Sequence, residues 1–171
     1  MTVRPETFRF EDDGETPNNP RLPLILYRNA LALDGAADPA AVFEEAFARH
    51  GWSDGWRNGI FDFLHFHTGA HEALGIARGS ATVEFGGTKG RRVDLRAGDA
   101  AILPAGTGHR RITASADLLV VGAYPRGGVN GQQRPKGLDR AKAAAAIAGT
   151  PLPDQDPVYG RDGLLTALWN A

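Results

Sequence analysis

The sequence predicts an all-β domain made of many short strands, flanked by helical segments on both sides. Three observations lead there. Between residues 59 and 124 the apolar pattern has a period of two, in short stretches bounded by glycine: "IFDFLHFH", "EALGIA", "ATVEF", "RRVDL", "AAILP", "HRRIT" and "DLLVVGAY". Closely spaced short strands describe a sandwich or a barrel. Helix signals stand on either side, in "DPAAVFEEAFARHGW" and "LDRAKAAAAIAG". Finally, 171 residues with 42% apolar content suffice for one core, so a single domain is expected. Its parts are an arm and helix over 1–58, a strand core over 59–124, and a loop with a helical extension over 125–171.

The arm, rich in Pro, Asn, Asp and Gly, is interrupted by "LPLILYR" at 22–28, which reads as a strand. Its acidic cluster, Glu11, Asp12, Asp13 and Glu15, lacks the ligand spacing of a calcium loop and reads as a solvated turn. In the helix that follows, Asp38 can cap, Pro39 suits the first turn, and Gly51 can end the segment in a left-handed conformation. Val42, Phe43, Ala46 and Phe47 fall on one apolar stripe that needs a core to lean on. After the strands, "PRGGVNGQQRPKG" reads as loop and the alanine-rich segment as a helix closed by Gly149. The last stretch, "GLLTALW", offers Leu164, Leu165, Leu168 and Trp169 to the same core.

Composition narrows the function. Nineteen basic against twenty acidic residues leave a charge of -1, so no overall field draws the chain to nucleic acid or an anionic membrane. No apolar run has the length of a membrane span, and the first residues do not resemble a signal peptide, so a cytoplasmic protein is expected. The absence of cysteine removes disulfides, thiolate ligands and cysteine nucleophiles together, leaving nitrogen and oxygen as metal ligands.

Those ligands are concentrated in "HFHTGAHE", residues 65–72. In an extended strand His65 and His67 share a face with Phe61 and Phe63. After a turn at Thr68 and Gly69, strand parity puts Glu72 with Leu74 and Ile76 on one face and His71 on the other. A bulge at the turn would swing His71 inward instead of Glu72. A second stretch, "GDAAILPAGTGH", bends at Pro104 to Gly108 and delivers His109. Imidazole and carboxylate suit iron, manganese, nickel, zinc or copper, and three or four such ligands leave coordination positions open.

These stretches resemble the two motifs of the cupin superfamily. Gly59, His65, His67, Glu72 and Gly79 match the first motif, and Gly98, Pro104, Gly106 and His109 match the second, with Thr113 where an asparagine is usual. Beyond the motifs, "WRNGIFDF", "VVGAYP" and "DDGETPNNPRLPL" resemble the YjlB-like group of little-characterised bacterial single-domain cupins. The resemblance implies an antiparallel jelly-roll (cupin) barrel with a divalent metal held by His65, His67, Glu72 and His109. On this expectation three ligands come from one hairpin and the fourth from a neighbouring strand.

Other residues have structural roles that compete with functional ones. Arg57, Arg78, Arg110 and Arg111 include candidates for anchoring a substrate carboxylate, although surface arginine is the default. Trp52, Trp56, Phe61 and Phe63 are core or pocket residues, and His50 answers the helix dipole rather than a metal. Ile60, Leu64 and Phe66 make the second face of the 60–66 segment apolar too, which suggests cover by the arm, the helix or a second subunit; a homodimer is expected. The functional expectation is a metal-dependent enzyme acting on a small molecule, by dioxygenase-like, isomerase or decarboxylase chemistry. The alternative is a non-catalytic cupin that binds or senses a small ligand around an organising metal.

Overall fold

The computed structural model describes residues 4–171. In chain order the elements are β1 (Glu6–Phe8), β2 (Leu24–Tyr27), α1 (Pro39–Arg49), β3 (Trp52–Asn58), β4 (Phe66–His67), β5 (Glu72–Arg78) and β6 (Ser80–Phe85). There follow β7 (Arg91–Arg96), β8 (Ala100–Leu103), β9 (His109–Ala114), β10 (Leu119–Pro125), β11 (Gln132–Gln133), α2 (Arg140–Ala148) and α3 (Leu164–Trp169). Every strand pairing is antiparallel. One sheet has six strands in the order β1-β2-β8-β5-β10-β3; opposite it stand β7-β6-β9 and the short pair β11-β4. An isolated bridge between His65 and His109 joins the short pair to β9, so the two smaller pieces form one layer. The architecture is an antiparallel jelly roll, assembled as a sandwich of two layers.

Alternation along the central strands explains the packing. Leu24, Leu26, Leu74, Ile76, Ala101, Leu103 and Val120 point to the inner face, where they meet Val83, Phe85, Val93 and Leu95 of the opposite layer. The intervening residues, among them Ile25, Tyr27, Ala73, Ile102 and Val121, point outward, and the large sheet is therefore apolar on both faces. α1 and the carboxyl-terminal segment cover that outer face through Phe43, Phe47, Leu165 and Trp169. Each of these large side chains contributes about 2 kcal/mol by leaving water. Phe43 lies so close that a Cβ on Gly75 would sit 2.4 Å from its ring.

The first helix begins as its sequence predicts, and α2 has a cap of the same kind. Asp38 caps α1 by accepting from the Ala41 amide, Asp139 caps α2 by accepting from Lys142, and Gly51 takes a φ of 82° just after α1. The acidic cluster forms turns, with Asp12 and Asp13 accepting from nearby amides and Arg140 pairing with Asp12. Among the described residues no helix is long and apolar enough to cross a membrane.

Two expectations are corrected. Residues 59–64 are not a strand; the edge strand of the large sheet lies earlier, at β3, while 60–64 bend across to the other layer. Consequently the link from β4 to β5 is not a hairpin: β4 pairs with β11, β5 pairs with β8 and β10, and residues 68–71 carry the chain from one layer to the other. Of the apolar residues that suggested a partner, Ile60 and Phe66 are buried within the chain and Leu64 is half-buried.

Candidate metal centre

The site forms where the two layers meet at the open end. His65 and His67 lie at the start of the short pair, and His109 opens β9 directly opposite His65, with backbone hydrogen bonds in both directions. Glu72 opens β5 in the large sheet. The carrier of His109 is fixed by the Pro-x-Gly turn: the Gly106 amide donates to the His67 carbonyl at 2.7 Å, and Gly106 adopts a φ of 94°. A Cβ there would collide with the Asn18 carbonyl at 2.4 Å, which gives the motif glycine its steric reason. The first motif glycine, Gly59, lines the adjoining cavity, with open space where a Cβ would be.

The structure brings His65, His67 and His109 together, one ring nitrogen of each lying within 4.8 Å of the others, and all three are buried. Glu72, 3% exposed, lies beside two of them: its Oε2 is 3.2 Å from His67 Nε2 and 3.3 Å from His109 Nε2. Each imidazole has its other nitrogen engaged. Nδ1–H of His65 donates to the Phe63 carbonyl at 3.0 Å, that of His109 to the Thr107 carbonyl at 3.0 Å, and that of His67 to Asn130 Oδ1 at 2.6 Å. All three partners are acceptors, so in the neutral rings the lone pairs sit on Nε2. Lone pairs and a carboxylate then face one another.

Glu72 Oε2 is buried and has no hydrogen-bond partner. An unpartnered buried carboxylate oxygen is costly, and a cation at that point relieves it. Ligands held at about 2.0–2.2 Å from one ion stand about 3.0–3.5 Å apart, and the Glu72 to imidazole distances agree. The electrostatics are divided: His65 is held neutral, whereas without an ion Glu72 favours a proton on His67, which a bound cation would displace. Burial, and then the neighbouring His109, push His65 down to about 4. Burial also works against charge on His67, but the Glu72 carboxylate outweighs it and raises this imidazole above its ordinary value. Burial opposes charge on Glu72, yet His67 and His109 hold its carboxyl well below the usual range.

A cavity of about 230 Å³ adjoins the four side chains, walled by Trp56, Asn58, Ile60, Phe61, Tyr124 and Gln132. At about 30 Å³ per water it takes a small molecule of a few heavy atoms. Of the four candidate aromatics, Trp56 and Phe61 reach it, Trp52 is core, and Phe63 stacks on Phe61 beneath Arg134. The candidate arginines do not line it. Arg57 pairs with Asp38 and Glu44, Arg110 with Glu84, and Arg111 donates to the Ile60 carbonyl, while Arg78 is exposed. His50 binds the Pro157 carbonyl, away from the centre.

His71 faces away from Glu72, as parity requires. Its Nδ1 accepts from the Ala105 amide at 2.9 Å, its Nε2–H donates to the Pro151 carbonyl at 3.1 Å, and its ring packs on Trp169. Sequence reasoning missed Tyr124, Asn130 and Asn18. Tyr124 was reachable, since Ala123 pairs with Ala73 and so Tyr124 stands beside Glu72 on the inner face. Asn18 read only as turn composition, yet its side chain accepts from the Gly108 amide and donates to the Gly86 carbonyl, clamping the segment just before His109.

No family model matches the chain. Among solved structures it is similar to a DMSP lyase, at 20% identity and a TM-score of 0.36, covering 47% of this chain and 40% of that one. It is similar to the acireductone dioxygenase of Bacillus anthracis with cadmium in its active centre, at 21% identity and a TM-score of 0.40, over 59% of this chain and 70% of that one. A variant oxalate decarboxylase of Bacillus subtilis is 16% identical with a TM-score of 0.39, over 70% of this chain and 29% of that one. The uncharacterised protein YjlB of Bacillus subtilis is 38% identical over 169 residues, which is 99% of each chain. With identity at that level along the whole of both sequences, the chain belongs to the YjlB family.

Proposed function

We propose that the protein is a metal-dependent enzyme acting on a small molecule, with His65, His67, Glu72 and His109 holding one divalent ion of the iron, manganese, nickel or zinc class. One observation carries the reading: the orphaned Glu72 Oε2 faces His67 and His109, two members of a cluster of three buried imidazoles, at the floor of an open cavity. When bound, the ion supplies Lewis acidity and open coordination positions, which serve oxygenase, isomerase or decarboxylase chemistry. The chain supplies the rest. Ile60, Phe61 and Leu74 give the cavity an apolar wall that limits water, while the Asn58 and Gln132 amides offer neutral hydrogen-bonding groups to orient a ligand.

A second reading, a non-catalytic binder or sensor, has one observation in its favour. The ionisable groups lining the cavity are the four centre residues and Tyr124, whose hydroxyl is engaged with Glu72, so each is already committed. Elemental analysis of protein purified without added metal, beside the His65→Ala, His67→Ala double variant, tests the centre. A stoichiometric first-row ion in the parent and its loss in the variant support it; equal, trace contents refute it. Oxygen uptake or substrate turnover by the loaded protein favours the enzyme, and a ligand-induced shift in melting without turnover favours the sensor.

The reading extends to a single cytoplasmic domain that works as a homodimer, with no nucleic-acid or membrane partner. The near-neutral charge supports the latter, and the outer edge of β3, without a strand partner among the described residues, supports pairing of two copies. Light scattering reads the oligomeric state.

A further inference from the structure

We propose that Asn130 is a positioning residue of the metal centre, fixing the His67 imidazole from a separate segment of the chain and thereby setting affinity and coordination geometry for the ion. The inference rests on the metal-holding reading above. His65 and His109 are aimed locally, each donating Nδ1–H to a carbonyl two residues back in its own backbone. His67 is aimed from a distance: its acceptor is Asn130 Oδ1, 63 residues along the chain and 2.6 Å away. Once that acceptor is removed, nothing in this set of contacts keeps the proton on Nδ1. The tautomer with Nε2–H would then turn a proton toward the ion.

The same amide braces the carboxylate. Asn130 Nδ2 donates to Tyr124 Oη at 3.4 Å, and Trp56 Nε1–H donates to the same oxygen at 3.0 Å. With both lone pairs of the phenol occupied, its own proton goes to Glu72 Oε1, 3.3 Å away. Oε1 is thereby held, and Oε2 is left facing the imidazoles. Asn130, His67, Glu72 and Tyr124 form a closed circuit with one member, Asn130, exposed to solvent.

The segment bearing Asn130 is seated firmly enough to do this. The Val129 amide donates to the Gly69 carbonyl at 2.9 Å, and the Thr68 amide donates to the Gly131 carbonyl at 3.1 Å. The approach is close: a Cβ on Gly69 would lie 2.3 Å from the Val129 carbonyl oxygen. Asn130 therefore reaches His67 over the turn that follows His67 itself.

Cobalt(II) titration of the metal-stripped full chain tests the role, reading both the dissociation constant and the visible d–d bands for wild type, Asn130→Ala and Asn130→Asp. Loss of a group that orients a metal-binding histidine costs about tenfold to a hundredfold in affinity, and that loss is expected for the alanine variant together with a shift of the bands. Aspartate keeps the acceptor and is expected to restore most of the affinity and the wild-type bands. The proposal is overturned if alanine leaves the constant and bands unchanged, if it lowers only the melting temperature of the metal-free protein, or if aspartate fails to rescue. A wild-type protein that takes up no cobalt overturns the metal-holding reading itself, an outcome distinct from tight wild-type binding with an unaffected alanine variant.

Discussion

Acid should destabilise this protein through His71, and the size of the effect follows from its surroundings. The ring is buried against Trp169, and its Nδ1 accepts from the Ala105 amide, so protonation would set one N–H against another. Burial pushes its pKa down to about 4, against 6.5 for an ordinary imidazole. The folded chain thus binds this proton less well than the unfolded one. Stability is complete above about pH 6.5, declines as pH falls, and stops declining near pH 4. At about 1.4 kcal/mol per pH unit the whole loss is about 3 kcal/mol, of which about 2 kcal/mol has gone by about pH 5. Urea unfolding of the metal-stripped wild type and of His71→Gln, compared from about pH 7.5 to about pH 5, reads this as a stability difference that shifts by about 2 kcal/mol in favour of the variant. His65, also pushed down, is common to both proteins and cancels. The variant's absolute stability is immaterial, because the slope carries the information. Parallel curves would refute the assignment of a neutral, buried His71.

Two substitutions probe the cover of the large sheet. Gly75→Ala would push a methyl into the Phe43 ring and is expected to cost about 1–3 kcal/mol as α1 is displaced, with part of the loss recovered when Phe43→Leu is added; thermal melts check both. Asp156→Ala removes a fully buried acceptor that receives the Tyr27 hydroxyl at 2.7 Å and the Val158 and Tyr159 amides, and should cost about 3 kcal/mol in urea unfolding. A loss below about 1 kcal/mol would show that this carboxylate does not fasten the carboxyl-terminal segment to β2.

Local chemistry was legible in the sequence where it is decided locally. The cap at Asp38, the turn that needs Gly106, and the burial of Leu165 and Trp169 all follow from neighbouring residues. The inward Glu72 and outward His71 agree with strand parity and with the motif that the segment resembles. Strand parity failed at 59–64 because "IFDFL" alternates without pairing, whereas β3, "WSDGWRN", pairs without alternating. As an edge strand with a register shift opposite Gly122 and Tyr124 and a left-handed Asp54, it carries little periodic signal. Asn18 and Asn130 were not legible, since their roles come from contacts 63 to 90 residues away along the chain.

Three imidazoles belong to one layer of the sandwich and the carboxylate to the other. A cation gripped by all four would act as a rivet through the rim, and the gap between the layers at that end would be set by its radius and charge. Exchanging one ion for another, or drawing the ion toward a newcomer in the cavity, would then pry or pinch the whole rim, so that events at a single atom are felt across the mouth of the roll.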